Sequence, residues 1–441
     1  MTGVFIADEM GLGKTVQALA IIAATREVPA VIVCPTSLRV NWKREAAKWI
    51  PGASVEVLYG TRPRDTFADI QVIGYDVLHA WAESLTPRLL VLDEAHYTKN
   101  GTTRRAQATL RLADRCREAG GAVIALTGTP ILNTAQELIA QLRIIGRLDE
   151  FGGAPKFKRD FADNRTLPAL NRRLRATCYV RRRKAEVLTE LPPKRWATVV
   201  VEGEQKALRE YKSAEADIVR YVADRARALA AESGATDKEA RREAWQAALR
   251  AEAAQHLVQI TALKRLAVKA KMPAAREWIT DFLDTGKKLV TFGWHREVVS
   301  AIADEFAGGC RVQGAMDDSD KQDWVDRFQT DEEQRVISCS IRAAGVGLTL
   351  TAASDVLFLE QGWTPADMDQ ASDRCHRIGQ NDSVTAWNMV CADTVDEDIA
   401  ELIEAKRAIV NAATDGTRAQ SEETTAVLGD LLVRLAERAG V

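Results

Sequence analysis

The stretch VFIADEMGLGKT, residues 4–15, joins a β-branched run to a glycine-containing turn, and the turn opens onto VQALAIIAA (16–24), which has helical period. Glycines at 11 and 13 let backbone N–H groups approach a phosphate, and the helix N-terminus adds the positive end of its dipole. In that geometry the Lys14 ammonium reaches the β and γ phosphates of a nucleotide and the Thr15 hydroxyl ligates Mg²⁺. The strict pattern G-x-x-x-x-G-K-[ST] has Gly where this chain has Asp8. Alone, the segment therefore also reads as a Gly-rich turn before an ordinary helix.

Working outward, β-branched runs recur at AVIVC (30–34), VEVLY (55–59), IQVIGY (70–75), LLVLD (89–93) and AVIAL (122–126), separated by segments of helical period. Strands alternating with helices predict an α/β fold with a parallel sheet covered on both faces. The run at 89–96, LLVLDEAH, ends in two adjacent carboxylates 79 residues after Lys14. Asp93 there can hold Mg²⁺, and Glu94 can orient and deprotonate the water that attacks a γ-phosphate. ALTGTP (125–130) follows another apolar run. Its small hydroxyl residues, Thr127 and Thr129, suit a hinge that senses the carboxylate pair, or a plain strand-to-loop turn.

From about 204 to 271 the strand runs stop, and Leu208, Tyr211, Ile218, Val222 and Leu229 recur at helical spacing among charges, with a break near Ser233-Gly234. Strand runs resume with KLVTFG (288–293), RVISC (335–339), DVLFLE (355–360) and VTAWNMVC (384–391). The predicted organisation is a first lobe at 1–146, a helical insertion and bridge at 147–270, a second lobe at 271–410, and a linker with an amphipathic helix at 411–441. That last helix carries Val427, Leu431, Leu432 and Leu435 on one stripe, for docking or for a partner. In the second lobe DQASDRCHRIGQ (369–380) spaces Arg374 and Arg377 three apart, with Gln370 four before Arg374. If helical, they share a face, and arginines brought across a cleft stabilise charge on a transferring phosphoryl group.

Composition bounds these readings. At roughly 150 residues per domain, 441 residues with 46% hydrophobic and 28% charged content fold around true cores, which excludes a disordered chain, a collagen or a disulfide-stapled peptide. Sixty Lys plus Arg against 62 Asp plus Glu leaves −2, so nucleic acid would have to bind through a local patch. The seven Cys include no CxxC and are odd in number, which points to reduced thiols and away from zinc. No apolar run approaches a membrane span and MTGVFIADEM lacks a leader's basic start. A soluble cytosolic protein with no membrane partner is expected.

In their order along the chain, ADEMGLGKT, PTSLRVNWKRE (35–45), LDEAHYTKN (92–100), ALTGTPILN, AAGVGLTLTAA and DRCHRIGQ resemble the Swi/Snf-type ATPases, the DNA-translocating branch of superfamily-two helicases. The resemblance runs over about residues 3–403 and includes RRRKAEVLTELPPK (181–194), similar to the family's bridge toward its helical insertion. The direct step to KMPAAREWI and KLVTFGWHREVV resembles the HARP-related annealing-helicase subgroup. It implies two RecA-like P-loop lobes with ATP and Mg²⁺ in the cleft between them. Asp8, Met10, Gly11, Leu12, Gly13, Lys14 and Thr15 would face it from the first lobe, with Asp93, Glu94 and the coupling residues Thr127 and Thr129. Gly347, Gln370, Arg374 and Arg377 would face it from the second.

Family members track the phosphates of duplex DNA. Carried over by position, the tracking residues are Ser37, Lys43 and Gly74 in the first lobe and Gln313, Ser340 and Thr349 in the second. The resemblance thus implies an ATP-dependent translocase on double-stranded or branched DNA, against two alternatives, a strand-separating helicase and an ATPase-impaired DNA-binding scaffold. The run NRRLRATCYVRRRK (171–184) holds seven cations, read equally as DNA contact or lobe-to-lobe bracing. Family members carry a longer stretch before the phosphate loop, with a Gln that reads adenine, whereas Met1 stands twelve residues before Gly13. Either an upstream start or weaker adenine selectivity is expected. No bromodomain-like, chromodomain-like, RING-like or nuclease segment is legible. A bare motor is therefore expected, bacterial or phage-borne, acting in the cytoplasm of the bacterium or infected host cell, with a separate protein to target it.

Overall fold

The computed structural model describes residues 3–128, 130, 135–232, 237–252, 256–344, 348–415 and 427–438. They fall into two compact units, Met1–Leu191 with Ala408–Glu423 and Pro192–Arg407 with Thr424–Val441.

The first unit is built on seven strands: β1 (Gly3–Ile6), β2 (Ala30–Cys34), β3 (Val55–Leu58), β4 (Ile70–Gly74), β5 (Leu89–Asp93), β6 (Ala122–Leu126) and β7 (Tyr179–Val180). They lie in the order β3-β4-β2-β5-β6-β1-β7, every pairing parallel. Their near-continuous apolar character follows from burial on both faces: β2 and β4 are buried at every position. Parallel pairing brings all the strand C-termini to one edge, where ligands of such sheets bind. The register is specific, because Ile6 and Asp93 both pair with Leu126. The loops after β1, β5 and β6, which carry the three expected nucleotide segments, therefore leave the sheet from one row.

The second unit holds β8 (Lys194–Val201), β9 (Leu289–Gly293), β10 (Arg311–Val312), β11 (Val336–Ser340), β12 (Asp355–Phe358) and β13 (Val384–Cys391). This sheet is also parallel, in the order β10-β11-β9-β12-β13-β8. Both units are thus α/β layers of the RecA-like kind that the motifs imply.

Three elements sit differently from the reading of the sequence. Residues 147–191 belong with the first unit: β7 pairs with β1 through Phe5 and Tyr179, and Phe151, Phe157, Leu170 and Leu174 enter the first core. The second sheet begins with β8, before the helical segment. Both strands are short or edge elements, and β8 alternates half-buried with exposed positions, so neither shows a long apolar run. The helix Leu257–Leu283 also crosses residue 270 without interruption.

The helical region consists of Gln205–Glu232, Lys238–Glu252 and the first part of Leu257–Leu283, and the C-terminal helix Val427–Arg438 docks on it. The expected break at 233–234 lies outside the described residues. Tyr211, Val222, Leu229, Trp245, Leu249 and Ile260 share a core with Leu431, Leu432 and Leu435. Ion pairs from Asp430 to Arg250 and from Arg434 to Glu401 frame this packing. All seven cysteines are buried and unpaired. No described helix is long and apolar enough to cross a membrane. Leu431 is fully buried, so Leu431→Ala is expected to destabilise the second unit by about 2–5 kcal/mol. An unchanged denaturation midpoint would show that the helix lies outside the core.

Candidate active site

The loop between β1 and the helix Lys14–Thr25 turns through Gly11 (φ 86°) and Gly13 (φ 71°). That left-handed region is open to glycine without penalty, which is why the turn needs it at those positions. The loop puts the Lys14 ammonium 2.8 Å from the carbonyl oxygen of Asp8 and 3.3 Å from that of Glu9. Burial pulls the Lys14 pKa below the ordinary lysine value, while the charges of Glu94, Asp93 and Asp8 work in the opposite direction. A cation held only by neutral carbonyls and by carboxylates at longer range is ready to exchange those carbonyls for phosphate oxygens.

The acidic pair is held as firmly. Trp42 Nε1 donates to Asp93 Oδ2 at 2.7 Å, the Tyr75 hydroxyl donates to the Asp93 main-chain carbonyl at 2.9 Å, and the Glu94 N–H donates to Asp93 Oδ1 at 3.0 Å. Glu94 takes a left-handed backbone, φ 50°, which turns the chain sharply after β5. Burial and the Glu94 charge push the Asp93 carboxyl up to about 7, with the Trp42 hydrogen bond and Lys14 opposing. Thr127 meets this pair through an intermediary: its Oγ1 lies 3.2 Å from His96 Nδ1, which lies 3.3 Å from Glu94 Oε2. A Cβ on Gly128 would sit 2.8 Å from Met10 Cγ and 3.5 Å from Lys14 Nζ, so the loop after β6 rests directly on the phosphate loop. Thr129 lies outside the described residues.

Asp8, expected among the nucleotide contacts, has its carboxylate turned elsewhere. It accepts from the Arg182 main-chain N–H at 2.8 Å, from the Arg182 guanidinium and from Gln17 Nε2 at 2.9 Å. Burial opposes its ionisation, but these hydrogen bonds prevail and hold the carboxyl below its usual range. Arg181 donates to the carbonyls of Ala7 and Gly128, at 2.8 and 3.0 Å, and the Lys184 N–H donates to Glu9 Oε2 at 2.8 Å. Part of the basic run thus has a purpose that neither reading of it foresaw: within the first unit it braces the phosphate loop. Gln17 completes the brace by donating to the Leu12 carbonyl at 2.9 Å.

In the second unit, Gln370 lies in the helix Pro365–Ser372, whereas Arg374 and Arg377 fall in the turns beyond it. The expected shared helical face is therefore replaced by a folded loop pinned to residues 348–353. The Leu350 N–H donates to the Arg374 carbonyl at 2.9 Å, and Gln380 Nε2 donates to the Ala353 carbonyl at 2.8 Å. Arg377 donates to the Leu348 carbonyl and to Thr349 Oγ1, both at 2.9 Å, and burial draws its pKa down against the charge of Asp373. Arg374 is largely buried. Lys194 anchors the same loop at 2.7 Å from Asp373 Oδ1, and His376 Nε2 lies 2.7 Å from the Pro192 carbonyl oxygen. Gly347 lies outside the described residues.

Of the residues expected at DNA, Ser37 and Gly74 flank the ends of β2 and β4, where Cys34 pairs with Gly74, and a Cβ on Gly74 would meet Thr36 Oγ1 at 2.8 Å. Lys43 is exposed on the helix Arg39–Trp49, one residue from buried Trp42. In the second unit Gln313 donates to Ser300 Oγ at 3.0 Å, Ser340 Oγ accepts from the Ala343 N–H at 3.1 Å, and Thr349 accepts from Arg377. Trp42, Tyr75, His96 and Gln17 carried no role in the sequence reading, and Arg181 and Arg182 were expected only as part of a run for DNA contact or lobe-to-lobe bracing. For Trp42 a signal was present, an indole four residues before Ala46 on the buried stripe of a charged helix.

The sequence pattern described as the SNF2-related domain matches residues 1–266, and that of the helicase conserved C-terminal domain matches 274–379. Among curated proteins, the Bos taurus "DNA annealing helicase and endonuclease ZRANB3" is 31% identical over 453 residues, covering 95% of this chain and 40% of that protein. The Xenopus tropicalis "SWI/SNF-related matrix-associated actin-dependent regulator of chromatin subfamily A-like protein 1" is 29% identical over 430 residues, 92% of this chain and 43% of that protein. The chain thus spans well under half the length of these relatives. A solved "Sulfolobus solfataricus SWI2/SNF2 ATPase core in complex with dsDNA" aligns with TM-score 0.42 and 24% identity, covering 94% of this chain and 89% of that one.

Two outcomes follow from the geometry. Arg182→Ala leaves the fully buried Asp8 carboxylate without its main cation, and nucleotide affinity measured by calorimetry is expected to fall about tenfold, about 1.4 kcal/mol. Unchanged affinity would show that the loop keeps its shape without the brace. The indole fluorescence that disappears in Trp42→Phe is expected to titrate in the wild type with a midpoint of about 7, following Asp93. A midpoint in the ordinary carboxylate range would contradict the burial argument.

Proposed function

Because this chain belongs to the SNF2-related family, we propose that it is an ATP hydrolase stimulated by double-stranded DNA, which moves along the duplex without processive strand separation. The observation that carries the reading is the single row of Ile6, Leu126 and Asp93, from which Lys14, the acidic pair and Thr127 are presented together. Lys14 exchanges its two carbonyl partners for phosphate oxygens of ATP, while the N–H groups of the loop 10–15 hold the remainder of the triphosphate. Thr15 and Asp93 hold Mg²⁺. Mg²⁺ in such sites keeps most of its ligands from phosphate and water, so two protein groups would suffice to place it. The ion, when bound, neutralises phosphate charge. Glu94 orients the attacking water and accepts its proton, with His96 and Thr127 steadying the carboxylate.

The second unit contributes Arg374 and Arg377 as cations for the developing phosphoryl charge, and Gln370 and Gly347 are proposed as further nucleotide contacts. The hold of Arg377 on the Leu348 carbonyl and Thr349 hydroxyl supports this. It ties a cation meant for ATP to a residue meant for DNA. Ser37, Lys43 and Gly74, with Gln313, Ser340 and Thr349, grip phosphates of duplex or branched DNA without reading bases, so binding weakens steeply with salt. A separate protein supplies targeting. The curated relatives named above are animal proteins, which lends no support to a bacterial or phage origin, and none is proposed. The intact Lys14 and carboxylate geometry speaks against an ATPase-impaired scaffold.

ATP turnover measured with and without blunt duplex DNA tests the proposal, with stimulation of at least about tenfold expected. Equal rates, or stimulation by RNA alone, would remove it, and efficient displacement of a strand from forked DNA would favour a strand-separating helicase. Lys14→Ala and Glu94→Gln are each expected to lower turnover by at least about a hundredfold. Glu94→Gln should keep ATP binding, because the cradle remains, and substantial residual hydrolysis in it would show that another group activates the water.

A further inference from the structure

The second sheet has two edges of different kinds. At one, β10 spans two residues, whereas at the other β8 spans eight, Lys194–Val201, and no strand lies beyond it. The Val384 N–H donates to the Pro193 carbonyl at 3.1 Å, and the Ala392 N–H donates to the Val201 carbonyl at 2.9 Å. Pairing in a parallel ladder alternates along the strand, so the odd-numbered residues of β8 turn their main-chain groups to β13 and the even-numbered ones turn theirs outward. Among the described residues no hydrogen bond reaches the outward groups of Trp196, Thr198 and Val200.

The side chains do not guard this edge. Native edge strands are commonly protected by proline, charge, a bulge or brevity. The segment WATVVV (196–201) has no charge, no proline and no glycine, and four of its residues are β-branched. Thr198 and Val200 are exposed, Val200 by 60%. An edge of this length and composition is a template for a further strand.

The strand is complementary to itself. Lys194 and Arg195 stand at its entry, and Glu202 and Glu204 stand just past its end, with Arg195 and both carboxylates exposed. Two copies laid parallel would set like charges together, whereas two laid antiparallel set the cationic end of each against the acidic end of the other. A two-fold axis through Thr198 fixes the register. Trp196 then faces Val200 of the second copy, Thr198 faces Thr198 and Val200 faces Trp196, all as hydrogen-bonded pairs, for about six main-chain hydrogen bonds. On the same face Lys194 comes opposite Glu202. An aromatic with a β-branched residue, threonine with threonine, and opposite charges are the cross-strand pairs that stabilise antiparallel strands. The Trp196 ring is already fixed for such a contact, stacked on Phe358 with centroids 5.6 Å apart and with the Arg407 guanidinium 4.7 Å from its centre.

We propose that β8 is the interface of a two-fold dimer of this chain, in which two six-stranded sheets join through antiparallel β8 strands centred on Thr198. The contact uses the same residues on both copies and consumes the long edge of each. The short β10 offers no comparable edge, so assembly through this sheet stops at two. Pairing requires neither nucleotide nor DNA.

Sedimentation equilibrium of the full chain at micromolar concentration, without DNA, should show a dimer. Thr198→Pro removes an outward N–H and leaves the ladder to β13 intact, and Val200→Lys places a charge at an exposed position. Each is expected to weaken dimerisation by at least about tenfold, with an unchanged far-ultraviolet circular dichroism spectrum. The register has its own readout, because all seven native cysteines are buried. Thr198→Cys adds an exposed thiol about 5.5 Å, Cα to Cα, from its counterpart across the axis, within disulfide reach. Air oxidation should convert that variant to a covalent dimer, whereas Arg195→Cys, about 20 Å from its own counterpart, should stay unlinked. A monomeric wild type would leave the edge to an extended segment of another protein and overturn the assignment. So would a dimer that survives either substitution at wild-type strength, or equal cross-linking at both cysteines.

Discussion

The first unit is organised around one electrostatic constraint, a lysine and two carboxylates brought together at the edge of a sheet where solvent does little for any of them. Lys14 is drawn toward neutrality by its burial and back by Glu94 and Asp93, and Asp93 is pushed up to about 7 by its burial and by Glu94. Charges so placed are tolerated when partners surround them, and here every partner comes from a different strand end. Trp42 follows β2, Tyr75 follows β4, Glu94 follows β5 and Thr127 follows β6. Only a parallel sheet delivers all of these to one edge, which makes the chemistry a consequence of the topology.

The brace from 181–184 extends that dependence along the chain. The segment leading out of the first unit holds Ala7, Asp8, Glu9 and Gly128 through side-chain and main-chain hydrogen bonds. A movement of the exit segment therefore acts directly on the phosphate loop, and a movement of the loop on the exit. In the second unit Arg377 and Thr349 form a comparable junction, with Lys194 and His376 anchoring their loop to the entry of β8. Each is a packed contact with few alternative arrangements.

Most of the sheet was legible because its strands are buried on both faces and appear as unbroken apolar runs. Ten runs read from the residues became strands, including all of β2, β5, β6 and β13. β7, β8 and β10 were not legible: two of them span two residues, and the third is an edge strand with an alternating pattern. Their loss moved the expected lobe boundaries away from the compact units. At the site, Lys14, Asp93 and Glu94 were legible because their chemistry demands those residue types at strand ends. Trp42, His96 and the contact of Arg182 with Asp8 were not, since an indole, an imidazole or a guanidinium acting on another side chain leaves no spacing to detect. Arg374 and Arg377 were named by type and expected on one helical face, whereas the helix ends at Ser372 and turns replace it.

The proposed hydrolysis requires acidic groups of the first unit and guanidiniums of the second to meet on one triphosphate during turnover. A crystal structure of the chain with Mg²⁺ and a beryllium fluoride complex of ADP, bound to duplex DNA, tests this most directly. It should show Lys14 released from the Asp8 and Glu9 carbonyls onto the β and γ positions, with Arg374 or Arg377 in hydrogen-bond contact with the fluoride. A nucleotide seated in the first unit with both arginines remote from it, Arg377 still on Leu348 and Thr349, would contradict the account.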